Sequence, residues 1–395
     1  MRNCVALIVL FLSVGRVYGK DFQIEGEFEI ELRNFLHNSS YGAARKNYAS
    51  ISSLIDFGVY GDNDKHALIV KAFARADSGD SRRSHGDLRE AKYRYVNGDF
   101  ELTLGVDKVF WGVAEFVHLV DIINQTDFVE SVDGEEKLGQ TMVRASYVSP
   151  IGTFTGFFMP EFKPRNFSGS DGRPNGNFLV DTSREFYQSS DGRNHDDFAF
   201  RYNSSFDVWD LGLSYFNGTS REPLLIKKNL IRNMIVPYYP QREQFSIDLQ
   251  ATLDSWLLKF EALKQIERTE SVGRFVAGFE YTYYGVFSSF SDLGLVVEYM
   301  WDQRKSKAPN LFNNDLGFGF RWTANDVNST TLLAGAIYDL ETSSAALSFE
   351  AERRLSNRLK FSLEARFQVN VDQKDAILYP LRNEDFLRLQ ATYYF

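Results

Sequence analysis

The chain has 395 residues, 44% of them hydrophobic and 15% aromatic, and a formal net charge of −9. That acidity disfavours nucleic acid and anionic surfaces as partners. Beyond the first residues no stretch approaches the roughly 18 uninterrupted apolar residues of a spanning helix, and no linker or low-complexity tract divides the chain, so helical membrane proteins and strings of soluble domains are both excluded.

The first element is a leader. Arg2 precedes an apolar run over 5–14, and Val17 and Gly19 stand at the two positions a signal peptidase reads. The run is too short to cross a bilayer, so residues 1–19 are expected to be an export signal and 20–395 a single domain. Cys4, the only cysteine, lies inside that leader. The exported chain is left without disulfide or thiol chemistry.

Next comes "FQIEGEFEIELR". Phe22, Ile24, Phe28, Ile30 and Leu32 alternate with Gln23, Glu25, Glu27, Glu29, Glu31 and Arg33, broken only at Gly26. A period of two is a strand's period, with one apolar and one acidic face. The pattern recurs over 100–106, 209–215, 245–251, 256–262, 275–283, 293–299, 316–322, 345–351 and 359–369. Weaker candidates lie near Ile55, Val70, Tyr93, Tyr147, Phe157, Phe200 and Ala334. With the last segment the total is about eighteen strands of about ten residues, or about sixteen, the dimensions of a transmembrane barrel.

Connections sharpen this. Short links such as "VNGD", "NSSF" and "LSNR" alternate with long ones at 34–48, 77–87, 107–140, 160–196, 217–241, 302–314 and 370–385, although two links due to be long, near Arg268 and Glu341, are short. Tyr95, Trp256, Tyr283 and Trp322 stand beside short turns and Tyr215 and Trp301 beside longer loops, as girdles at the two interfaces would. These features point to an all-β fold, a transmembrane antiparallel β-barrel in a Gram-negative outer membrane. Its apolar faces meet lipid and its acidic faces an aqueous lumen. Tyr393 and Phe395 close an alternating "LQATYYF" that resembles the C-terminal signal by which such barrels reach their assembly machinery.

The third long link breaks the strand rhythm. Val113, Phe116, Val117, Val120 and Ile123 fall at helical spacing, which predicts a helix ending near Asp127 in the third external loop. Its acids include Glu115, Asp121 and Asp127, while Lys71, Arg75, Arg89 and Arg94 cluster on the preceding strands. Opposed across a lumen, these charges would form a pore constriction with a transverse field. The alternative is an external helix with a solvated acidic side.

"HLVDIINQTD", "GTSREP" and the "WG" at Trp111 and Gly112 resemble an uncharacterised family of proteobacterial porin-like outer-membrane proteins. The resemblance runs through most of the exported chain and implies barrel and location, with no functional residues to carry over. Two loop strings, "SDGRPNGNF" and "SDGRNHDDF", lack the ligand spacing of a calcium loop and fit turn chemistry, so no metal or other cofactor is expected. His37, His66, His85, His118 and His195 accompany no catalytic motif; only His66 with Ser50 and Ser52 imitates a barrel phospholipase, without that motif. The expectation is therefore a non-enzymatic, porin-like channel for passive diffusion of small polar solutes or ions, embedded in outer-membrane lipid. A substrate-specific uptake or export barrel and a non-conducting adhesive barrel are the alternatives. Ion selectivity and assembly, with a homotrimer among the options, stay open.

Overall fold

The computed structural model describes residues 21–40, 44–61, 64–131, 133–176, 178–229, 234–268, 270–287, 290–305, 308 and 312–395. The expected leader, with Cys4, lies outside the described residues.

Alternation with period two produces strands almost throughout. In chain order they are β1 (Asp21–Phe35), β2 (Asn47–Gly61), β3 (His66–Asp77), β4 (His85–Asn97), β5 (Phe100–Asp107), β6 (Gln140–Ser149), β7 (Gly152–Met159), β8 (Leu179–Val180), β9 (Phe186–Tyr187), β10 (Asp197–Phe206) and β11 (Trp209–Thr219). There follow β12 (Leu224–Asn229), β13 (Met234–Tyr239), β14 (Gln241–Leu253), β15 (Trp256–Glu267), β16 (Glu270–Tyr283), β17 (Asp292–Asp302), β18 (Asn314–Thr323), β19 (Thr331–Asp339), β20 (Ala345–Ser356), β21 (Leu359–Val369) and β22 (Phe386–Tyr394). Eighteen of them form one sheet. Each pairs antiparallel with the next in sequence, β7 with β10 and β11 with β14 across the intervening loops, and β22 pairs back to β1. The ring is closed and has no free edge.

One surface of this ring is apolar. Phe22, Ile24, Phe28, Ile30 and Leu32 of β1 are exposed on the outside, while Glu31 and Arg33 between them are buried on the inside. Only a bilayer accepts such an outside, and only a closed sheet satisfies backbone groups within it, so the chain is a membrane-spanning barrel of the outer-membrane type. Gly26, the one break in the opening alternation, has a physical reason. The Phe395 ring lies over it, where any Cβ would collide, and stacks on Phe28 at 5.0 Å between centroids.

Links of a few residues, such as 98–99, 207–208 and 357–358, close one end of the barrel, and long ones, such as 108–139 and 160–196, the other. The two anomalies stand, since 268–269 and 340–344 are short links at the long-loop end. Loops 160–196 and 220–240 contribute β8, β9, β12 and β13 to a separate small sheet. The loop 160–196 then crosses the mouth. Arg173 donates to Glu384 at 2.8 Å, Tyr48 to the Asp171 carbonyl at 3.0 Å, and Asp80 accepts from Gly169 N–H at 3.1 Å.

The helix expected in the third external loop is not there. Among the described residues none of 108–139 is helical, and the one α-helix found in them, α1 (Leu378–Leu381), sits in the last long link. The cause is competition for backbone N–H groups. Glu261 on β15 accepts from Val113, Ala114 and Val120, and Glu298 on β17 accepts from Glu115 and Phe116. A helix starting at Val113 would leave its first four N–H groups free in any case, but it would need the Val120 N–H to close its turns, and the wall engages that donor.

Candidate functional site

Glu261 and Glu298 pair across strands with Val276 and Gly278, whose side of the sheet is the inner one, so the third long loop lies inside the lumen. It packs there by its apolar side chains. Trp111, Val120, Ile122 and Ile123 meet Met142, Phe157, Met159, Ala199 and Phe216 on β6, β7, β10 and β11. Ala114 and Leu119 meet Leu263, Val276 and Met300 on β15 to β17. Phe116 reaches further, to Gly317, Gly319 and Gly335 on β18 and β19, where added Cβ atoms would strike its ring. The loop thereby fills one side of the barrel. Among the described residues, a cavity of about 470 Å³ lies open between β1 to β4, β20, β22 and the loop's returning arm.

The charges predicted to oppose one another across a gap are instead joined in pairs. Asp127, fully buried, meets Arg89 at 2.7 Å and accepts from Asn166 at 2.5 Å. Asp121 meets Lys137 of its own loop at 3.0 Å, and Glu115 contacts Arg321 and, at 3.5 Å, Lys259. Arg75 pairs with Glu29 at 3.1 Å and Glu130 at 2.9 Å, and Lys71 with Glu90 at 3.1 Å and Asp56 at 3.4 Å. Arg94 lies on the inner face nearer the short-turn end and does not line the cavity. Thus among the described residues of 108–139 only the carboxylates of Asp127 and Glu130 reach the β3–β4 arginines, and the expected opposition across open space gives way to a wall of ion pairs. Burial raises the Glu130 carboxyl, but the His85 bond and the Arg75 and Arg83 charges outweigh it and bring it down to about 2.

A second set of acids takes the position foreseen for the first. Asp133, Glu135 and Glu136 of the loop's returning arm line the cavity with Glu27, Glu29 and Glu350 of the wall. The Glu135 and Glu136 side chains are 60% and 51% exposed. In all, eight carboxylates line the opening against five cationic side chains, so its wall is net negative. Asp133, Glu350 and Glu364 converge closely enough to suggest a metal, but the Arg366 guanidinium contacts all three at 2.7–2.8 Å. An arginine already supplies the positive charge.

His118 holds the two arms of the loop together, Nε2 lying 2.9 Å from Glu135 with Phe110 edge-on. At the seam, Tyr393 and Phe395 project outward on β22 and just past it, and Phe395 exchanges two backbone hydrogen bonds with Gly26. His66, near the membrane surface, bonds Tyr93 at 2.6 Å, while Ser50 bonds Arg75, so no His/Ser pair forms between them.

No protein-family model and no curated protein matches the sequence. Solved structures do match in fold. Pseudomonas aeruginosa OccK5 (OpdH) superposes with a TM-score of 0.54 over 97% of this chain and 99% of its own, at 9% identity. Pseudomonas aeruginosa OccD3 (OpdP) does so with 0.53 over 96% and 92%, at 12% identity. The barrel is therefore porin-like in fold.

Proposed function

We propose that the chain is a diffusion channel of the outer membrane for small polar solutes that favours cations. The observation carrying this is the cavity beside the third long loop, lined by eight carboxylates and five cations, with Glu135 and Glu136 turned into the open space. Low-dielectric walls focus such a charge on the path of a passing ion. Asp133, Glu135 and Glu136 carry the selectivity in this reading, while the buried pairs of Asp121, Asp127, Arg75 and Arg89 and the more exposed pair of Glu115 with Arg321 shape the opening. Reversal potentials in planar bilayers test it. The parent should favour potassium over chloride, and D133N/E135Q/E136Q should bring the ratio toward one. Asp191→Asn, in a distant loop, should change it little, since at about 0.15 M salt charges beyond about 8 Å are largely screened. An anion-preferring parent would overturn the proposal.

One observation favours substrate-specific uptake as a second reading. The loop 160–196 is tethered across the mouth by Arg173 and Glu384, both almost wholly buried. A roofed entrance suits a solute that is recognised before it passes. Saturable flux of one solute class in liposomes would favour that reading over simple diffusion.

A further inference from the structure

Glu261 and Glu298 are the two side chains on the wall that the third long loop is built around. Each is fully buried. Neither has a cationic side chain within ion-pair distance among the described residues, and their charges are met by the loop's backbone. Glu261 Oε1 accepts from Val113 at 2.6 Å and Ala114 at 2.9 Å, and Oε2 from Val120 at 3.2 Å. Glu298 accepts from Glu115 at 2.7 Å on Oε1 and from Phe116 at 3.0 Å on Oε2. The loop is shaped to permit this. Gly112 holds φ +131°, and a Cβ there would stand 2.9 Å from Glu261 Oε1.

We infer that Glu261 and Glu298 are positioning residues that set the bore and the charge selectivity of the channel by fixing the loop against the far wall. The inference rests on the diffusion-channel reading. A carboxylate offers acceptors only, which suits five converging N–H donors, and ionised acceptors bond more strongly than neutral ones. A glutamine turns one of its two terminal atoms into a donor. At 261 that sets an NH2 against an N–H group whichever way the amide lies, and at 298 it removes one of two bonds. Release is tolerable for the wall, because the side chains at 261 and 298 would then face a water-filled lumen instead of staying dry and unpaired. The loop would swing toward the open side and carry Glu135 and Glu136 away from their present places.

The experiment compares parent, E261Q, E298Q and the double variant in planar bilayers, with Asp191→Asn, in the distant loop 160–196, as control. The double variant should show an altered single-channel conductance with larger open-state noise, and a potassium-to-chloride ratio nearer one. The control should match the parent. Leu119→Cys, a buried site in the loop, supplies an independent readout in a chain whose only natural cysteine is Cys4. A charged thiol reagent should modify it slowly in the parent background and many-fold faster with E261Q. A parent that does not conduct would sink the channel reading. A conducting parent whose glutamine variants keep its conductance, ratio and labelling rate would sink this inference alone. So would failure of the double variant to assemble while a deletion of 113–120 assembles, because the carboxylates would then serve the barrel and not the loop.

Discussion

His118 is a residue of the candidate constriction whose surroundings favour its charged form. Burial opposes its positive charge, but the bond to Glu135 and the charges of Glu135, Glu261 and Asp121 outweigh that and raise its value above the usual histidine range. A raised value means the bridge is complete below the ordinary value of about 6.5 and is lost as pH climbs through the raised one. Glu130, down at about 2, stays ionised throughout and contributes nothing to such a change. Open-state noise should therefore grow as pH climbs above about 6.5 and the Glu135 arm loosens, and His118→Phe should be noisy at every pH. A parent with the same noise at every pH would show that the arm is held without the bridge. At this scale the sequence told little. Which acid meets which cation depends on strands that are distant in the chain, as with Glu115 and Arg321 or Asp133 and Arg366.

At the scale of the element the strands were legible and the loop was not, for one reason. A strand's two faces are written in its own residues, because a period of two separates lipid from lumen whatever the neighbours are. The stretch 113–123 has a helical spacing of apolar residues, yet its hydrogen-bond partners come from β15 and β17, far along the chain, and tertiary bonding overrode the local period. A signal for this was present in the wrong face of other strands. Met142, Phe157, Leu263, Val276 and Met300 occupy inward positions where a water-filled lumen favours polar residues, so something apolar had to lie inside. Depth along each strand also matters. Phe361 faces lipid but stands close to the 357–358 turn, whereas Leu389 sits mid-strand on β22, 54% exposed and level with Leu32 and Leu363. Leu389→Arg should cost about 2–4 kcal/mol in folding titrations into vesicles and Phe361→Arg about 0–1 kcal/mol. Gln390→Arg, on the lumen side, should cost little. Equal losses at 389 and 390 would mean that the faces are misassigned.

Closure belongs to the whole molecule, since a ring joins its first strand to its last and neither is complete alone. The seam runs from the pair Glu27 and Tyr394 to Phe35 and Phe386, and Phe35, Tyr48 and Phe386 bury one another at its loop end. At the other end Phe395 covers Gly26 and stacks on Phe28. This terminal ring thus has a packing role that is sufficient to explain its presence, besides the proposed role as an assembly signal. The two roles predict different losses. An aromatic pair is worth about 0.5–1.5 kcal/mol beyond its area, so Phe395→Ala should lower stability modestly in vesicles, where no assembly machinery acts. Gly26→Leu displaces the same ring while leaving the chain end intact, and should cost about 1–3 kcal/mol in vesicles through overpacking. If Phe395 is also read during delivery, Phe395→Ala should deplete assembled barrel in cells far more than Gly26→Leu does, although it is no more destabilising in vesicles. Heat-modifiable mobility of the barrel from cell membranes measures this directly. Should the two variants be depleted in cells in proportion to their vesicle stabilities, packing at the seam accounts for Phe395, and the signal role falls.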